Sequence, residues 1–347
     1  MFYLKYRPQT VEEIDNSSVK LILEKILQSQ KIPHALLFVG QKGTGKTSTA
    51  RIFAKAINCL ENKFAKNSSS FEPCNNCANC KSITKSFSVD VIELDAASNR
   101  GIDEVKNLIK EISFLPMNSR YRVFIIDEAH MITPDGFNAL LKTLEEPPAS
   151  AVFILATTNE EKLPKTIISR CFKVNFGKAK KADIFSMLKR ICQKEKINFP
   201  DETLHLISQR SENSFRDAAK LLEEIVIQNL RQVEDVKKFL GIRGKNDLLA
   251  IIEKKDSQKT FDFIQEFSTS GGNFKTLIED LLEHLRLKLL HKKGVIKDNE
   301  YASLLSLNEI TLLMKLLLEA YQQMKITPID SLPLEIALAE FYNKGKS

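Results

Sequence analysis

The sequence predicts an α/β domain followed by an all-α half. Apolar, β-branched runs recur through the first half, helical patterns separate them, and from about Lys178 only helical patterns continue. In chain order, ALLFVG (35–40) is a short apolar run ending in glycine, and TSTARIFAKAIN (47–58) has helical spacing of Ala, Ile and Phe. VDVIELD (89–95), YRVFIID (121–127) and AVFILATT (151–158) are further strand candidates, with helical patterns at 102–113 and 134–146 between them. Such alternation argues a parallel sheet covered on both faces. Beyond it, 182–197, 214–230, 273–290 and 308–324 carry apolar residues at three- and four-residue intervals. Asn213-Ser214 and Asn308 are expected N-caps. Leu240 to Gly244 breaks the pattern as a boundary, and Ser268 to Gly272 reads as an inter-helix loop.

A chain of 347 residues exceeds what one hydrophobic core serves, so two or three domains are expected. Hydrophobic residues make up 43% and charged residues 27%, the balance of an ordinary globular protein. No run approaches the ~18 apolar residues of a membrane span. MFYLKYRPQT lacks the apolar core of a secretory signal. A cytoplasmic protein without a membrane partner is therefore expected. The net charge of +7 suits a polyanion, though solubility alone also accounts for it.

GQKGTGKT (40–47) fits G-x-x-x-x-G-K-[ST], follows an apolar strand and opens a helix. Its glycines let backbone N–H groups turn around phosphate oxygens, and the helix end adds attraction. Gly40, Gly43, Thr44, Gly45, Lys46, Thr47 and Ser48 are thus candidate ATP-binding residues. Lys46 is expected to reach the β- and γ-phosphates, and the Thr47 hydroxyl to ligate Mg²⁺. VFIIDEAH (123–130) places two acids after a buried strand, a Walker B pattern. Asp127 is expected to hold Mg²⁺ through water and Glu128 to polarise the attacking water. The letters DEAH also spell a helicase box, but such a helicase needs a second parallel-sheet motor, and the remaining chain reads as helical.

Cys74, Cys77 and Cys80 offer three thiolates within seven residues, and Cys59 can complete a tetrahedral Zn²⁺ site. A ferredoxin-like cluster is the rival, but Lys81-Ser82-Ile83-Thr84 supplies neither a further cysteine nor a proline. Free structural thiols are the plainest alternative. Cys171 and Cys192 read as small buried hydrophobes.

These motifs resemble those of AAA+ ATPases, and intervening segments narrow the match. YRPQT (6–10), the run from His34 to Cys59, CNNCANC (74–80), LDAAS (94–98), IIDEAHMIT (125–133), FNALLKTLEEPP (137–148), LATTNEEKLPKTIISRC (155–171) and NSFRDA (213–218) follow in order. Together they closely resemble the gamma/tau subunits of bacterial DNA polymerase III, over about the first 240 residues. The resemblance implies a AAA+ domain over 1–177 with a zinc module at about 59–80, a helical lid over 178–242 and a helical collar over 243–347. It implies an arginine finger at Arg170, acting in trans on a neighbour's ATP. Arg216 matches sensor 2 and Thr158 matches sensor 1, while Tyr6, Arg7 and Pro8 match a segment over the adenine. Arg100 and Lys142 are candidates for DNA phosphates, alongside their reading as solvated helix positions.

The implied function is an ATP-hydrolysing clamp-loader motor with no polymerase site of its own. Implied partners are delta and delta-prime type subunits, further copies of the chain, the sliding clamp and primed DNA. A non-hydrolysing stator-like subunit and another AAA+ DNA-remodelling motor are the alternatives. The chain resembles the short, gamma-like form. It departs from the family in a longer Cys59–Cys74 loop, in DEAH for the commoner DEVH, and in Asn213 where glycine is usual.

Overall fold

The computed structural model describes residues 1–65, 70–98, 102–112, 114–240, 243–269, 272–296, 298, 301–324 and 326–344. Arg100 lies outside them, as do Gly241 and Ile242 of the expected boundary. The described chain divides into two compact units, Met1–Asn229 and Leu230–Ser347.

The first unit opens with α1 (Phe2–Lys5) and α2 (Ser17–Ser29), then β1 (Ala35–Gly40) and α3 (Lys46–Asn58). The cysteine-bearing loop contains α4 (Ala78–Thr84). Next come β2 (Val91–Asp95), α5 (Ile102–Ile112), β3 (Arg122–Asp127), α6 (Pro134–Glu145), β4 (Ala151–Thr157), α7 (Lys165–Ile168) and β5 (Phe172–Gly177). Among the described residues the strands form one sheet in the order β2-β3-β4-β1-β5, parallel at every pairing.

The two-residue period of a strand divides its side chains between two cores. Leu36 and Phe38 of β1, Val123 and Ile125 of β3, and Ile154 of β4 share one core with Ala50, Phe53 and Ile57 of α3. Leu37, Phe124, Ile126, Phe153 and Leu155 share the other with Leu108 of α5 and Leu140 and Leu144 of α6. Phe124 and Phe153 stack across β3 and β4 at 5.3 Å. Both faces are therefore dry, which is why these strands read as continuous apolar runs.

Strand β5 was not among the expected strands. Its buried residues are Val174 and Phe176, with Lys173, Asn175 and Gly177 exposed, so it lacks a continuous apolar run. It pairs only with β1, at the sheet edge. Three helices complete the unit: α8 (Lys181–Glu195), α9 (Asp201–Arg210) and α10 (Phe215–Ile227). Ser214 caps α10, its hydroxyl accepting from Asp217 N at 3.2 Å.

The second unit holds α11 (Val233–Phe239), α12 (Arg243–Glu253), α13 (Ser257–Thr269), α14 (Phe274–Lys292), α15 (Leu307–Gln323) and α16 (Leu332–Lys344). Leu248, Ile252, Leu281, Leu285, Leu313, Leu317 and Leu338 pack one core there. Asn308 is not a cap. Ser306 accepts from Glu309 N while Glu309 accepts from Ser306 N, a reciprocal capping box that starts α15 at Leu307. No helix among the described residues is long and apolar enough to cross a membrane. The compact-unit boundary at Asn229/Leu230 places α11 with the later helices, whereas the sequence reading places it in the lid.

Candidate functional site

The carboxyl ends of β1, β3 and β4 converge on the first turn of α3, where open parallel sheets bind ligands. Between β1 and α3, Gly43 and Gly45 hold φ of 79° and 95°, which aligns successive N–H groups as an anion cradle. Lys46 opens α3 and is 6% exposed. Its ammonium donates to the Gly40 carbonyl at 2.8 Å and the Gln41 carbonyl at 2.9 Å. Burial lowers the Lys46 pKa, while Glu128 and Asp127 oppose that shift. Thr47 donates to Asp127 Oδ2 at 2.5 Å, so the two expected Mg²⁺-side oxygens lie side by side.

Glu128 follows β3 with φ of 46°, a left-handed conformation unusual outside glycine. That turn brings its carboxylate to Thr158, whose hydroxyl and N–H donate to Glu128 Oε2 at 3.0 and 3.3 Å. Thr158 lies one residue beyond β4. His130 Nδ1 lies 3.4 Å from the same carboxylate oxygen and 3.0 Å from Thr157 Oγ1. Sequence reasoning missed His130, although its place two residues after Glu128 in DEAH was the available signal.

A cavity of about 220 Å³ opens over this cradle. Tyr6, Arg7 and Pro8 line it with Gly43 to Thr49, Asp127, Glu128 and Arg216. Arg7 Nε donates to Ser48 Oγ at 2.6 Å, fastening the N-terminal segment to α3. Burial lowers the Arg7 pKa, with Arg51 adding to the fall. Ile14, Met187, Ile191 and Ala219, which no sequence motif marked, give the cavity an apolar side together with Phe215 of NSFRDA. The i, i+4 spacing of Met187 and Ile191 on α8 was the only signal.

Arg216 follows the α10 cap and lies over the Tyr3 ring, 5.3 Å from its centroid. The Phe215 N–H donates to the Gly43 carbonyl at 3.0 Å, which docks α10 on the phosphate loop. Asn213, where glycine is usual, has φ of 56°. Asparagine is the residue that best tolerates this region after glycine, so the departure preserves the turn. A Cβ on Gly43 would lie 2.0 Å from Ser214 Oγ. Gly43→Ala is expected to weaken ATP binding about tenfold or more, since left-handed strain alone costs ~1–2 kcal/mol. Equilibrium titration with a fluorescent ATP analogue checks this.

Arg170 is not among the cavity-lining residues. It follows α7, donates to the Thr166 carbonyl at 2.7 Å and pairs with Glu145 at the end of α6. Lys142 is exposed on the same helix.

The four cysteine sulfurs lie within 4.8 Å of one another. Tetrahedral Zn²⁺ with bonds of ~2.3 Å fits such a set. No disulfide joins them. Backbone N–H groups point at the sulfurs: Cys77 N to Cys74 Sγ at 3.2 Å, Cys80 N to Cys77 Sγ and Cys74 N to Cys59 Sγ at 3.4 Å. Burial raises the Cys74 thiol, but the N–H groups of Cys77 and Asn76 and the side chains of Cys77 and Cys59 together outweigh it and bring the pKa to about 7. Cys192 is buried and Cys171 partly so, and burial pushes each of these thiols up to about 11, in keeping with small apolar residues.

A family model described as DNA polymerase III, delta subunit, matches residues 15–180. DNA polymerase III subunit tau of Bacillus subtilis is 34% identical over 97% of this chain, which spans 62% of that relative's length. DNA polymerase III subunit gamma of Buchnera aphidicola subsp. Baizongia pistaciae is 33% identical over 98% of this chain and 95% of its own. The gamma subunit of Buchnera aphidicola subsp. Schizaphis graminum is 35% identical over 97% and 96%. With relatives 33–35% identical over nearly all of it, the chain belongs to the DNA polymerase III gamma/tau subunit family.

Proposed function

We propose that the chain is an ATP-hydrolysing motor subunit of a sliding-clamp loader that acts on primed DNA. The observation that carries this reading is the convergence, at one end of the sheet, of side chains suited to phosphate binding and to water activation. Lys46, Thr47, Asp127, Glu128 and Thr158 all meet there. A non-hydrolysing stator has no need for Glu128 to be held in a strained backbone conformation beside Thr158.

Bound ATP places its phosphates in the Gly43–Thr47 cradle, and Lys46 exchanges its carbonyl partners for phosphate oxygens. Thr47, and Asp127 through water, would hold Mg²⁺, which would supply charge neutralisation on the phosphates. Glu128 orients and polarises water, with Thr158 fixing the carboxylate. Arg216 approaches from the lid, and Tyr6, Arg7 and Pro8 close the base side. The Cys59, Cys74, Cys77 and Cys80 cluster would hold a structural Zn²⁺, tying α4 to the end of α3. The three-part division at 177 and 242, and DNA contact by Lys142 and Arg100, belong to the same proposal.

The test is ATPase activity of the purified chain, alone and with clamp, primed DNA and the other loader subunits. Stimulation by clamp and primed DNA together is the expected result, and Lys46→Ala is expected to abolish it. ATP binding without turnover in every mixture favours the stator reading instead.

A further inference from the structure

The cysteine cluster is connected to the nucleotide cavity through residues that take no part in the phosphate cradle. Lys55 lies on α3, the helix that Lys46 opens, and is 1% exposed. Its ammonium donates to Asn75 Oδ1 at 2.8 Å, to the Gln9 carbonyl at 2.7 Å and to Gln9 Oε1 at 2.8 Å. Asn75 stands between Cys74 and Cys77 with φ of 58°. Gln9 follows the Tyr6-Arg7-Pro8 segment that lines the cavity. Gln9 Nε2 donates to the Arg7 carbonyl at 3.2 Å, and Arg7 returns to Ser48 on α3. A second tie runs beside the first. Glu72, two residues before Cys74, accepts from the N–H groups of Val11 and Glu12 at 2.8 and 3.0 Å.

All three acceptors of Lys55 are neutral. A buried ammonium with neutral partners is costly unless a counter-charge stands near it. Four thiolates around one Zn²⁺ leave two net negative charges. Burial lowers the Lys55 pKa, and the nearby Cys80 and Glu13 oppose that fall. Outer-shell groups of this kind orient ligands and tune a metal centre.

We propose that Lys55 is a positioning residue that couples the metal-loaded cysteine cluster to nucleotide binding. Asn75, fixed between two cysteines of the cluster, holds the Lys55 ammonium, and Lys55, seconded by Glu72, holds the N-terminal segment against the cavity. The inference rests on reading the cavity as an ATP site and the cluster as a zinc centre. Coupling between two binding sites is reciprocal, so ATP must tighten zinc binding as zinc tightens ATP binding.

The experiment measures zinc affinity of the full chain by competition with a chromophoric chelator, with and without saturating ATP. In the wild type, ATP is expected to raise zinc affinity roughly 5- to 20-fold, within the range typical of coupled sites. In Lys55→Met, which keeps the length of the side chain and removes its charge, that factor is expected to fall to about one. Asn75→Gly suits the positive φ and removes only the acceptor, and a reduced factor is expected there too. Wild-type coupling retained in both variants overturns the proposal. A wild-type chain that binds zinc and ATP without coupling overturns it alone. A chain that binds no ATP, or no zinc, overturns the underlying reading as well.

Discussion

Glu128→Gln is expected to lower ATP turnover by roughly 10²–10⁴-fold while ATP affinity stays within about twofold. Glutamine keeps the shape of the side chain and can still accept from Thr158 through its amide oxygen. It loses the basic oxygen that polarises water. Thr47 and Asp127 meet each other without Glu128, so the Mg²⁺ side of the site is left intact. Steady-state phosphate release and titration with a fluorescent ATP analogue separate the two effects. Unchanged turnover would remove Glu128 from the mechanism. A parallel loss of affinity would recast it as a binding residue. Thr158→Ala provides a graded comparison, because it removes one donor at 3.0 Å and keeps the backbone N–H at 3.3 Å.

What could be read in advance followed from local chemistry. The phosphate loop needs glycines with positive φ, a lysine and a hydroxyl at fixed spacing, so Gly43, Gly45, Lys46 and Thr47 declared themselves in a short stretch of chain. Strands β1, β3 and β4 are buried on both faces and therefore carried unbroken apolar runs. Strand β5 did not, because an edge strand facing water on one side keeps Lys173 and Asn175 among its residues. The cap of α15 was misplaced for a similar reason. Ser306 and Asn308 are both competent caps, and the choice depends on Glu309 reaching back to Ser306. Other parts of the site were invisible because they depend on contacts between distant segments. The apolar wall joins Ile14 to Met187 and Ile191. Lys55 joins α3 to Gln9 and Asn75. In sequence Lys55 is one lysine in a helix, and its burial follows only from where the cysteine loop and the N-terminal segment fold back. The roles expected of Arg170 and Arg216 rest on resemblance rather than on chemistry, since an arginine beside a helix is usually a solvated charge.

Arg170→Ala is expected to leave ATP binding by the isolated chain unchanged and to remove most of the turnover that assembly and primed DNA stimulate. A trans-acting arginine contributes ~10³–10⁵-fold to turnover in comparable phosphoryl-transfer systems. The geometry supports the separation of the two effects. Arg170 is not among the residues lining its own chain's cavity, so it has no direct contact through which to alter ATP affinity there. Its guanidinium is instead held outward by the Thr166 carbonyl and Glu145, with about a third of the side chain exposed. A surface ion pair of this kind contributes ~0–1 kcal/mol, little enough for Arg170 to exchange Glu145 for a phosphate on an adjoining subunit. Glu145→Gln is therefore expected to leave stimulated turnover within a few-fold of the wild type. Measuring turnover in the reconstituted loader distinguishes the roles. Full stimulation in Arg170→Ala would reject the finger assignment. Loss of stimulation in Glu145→Gln as large as in Arg170→Ala would show that the ion pair itself, and not the freed guanidinium, is what the adjoining subunit requires.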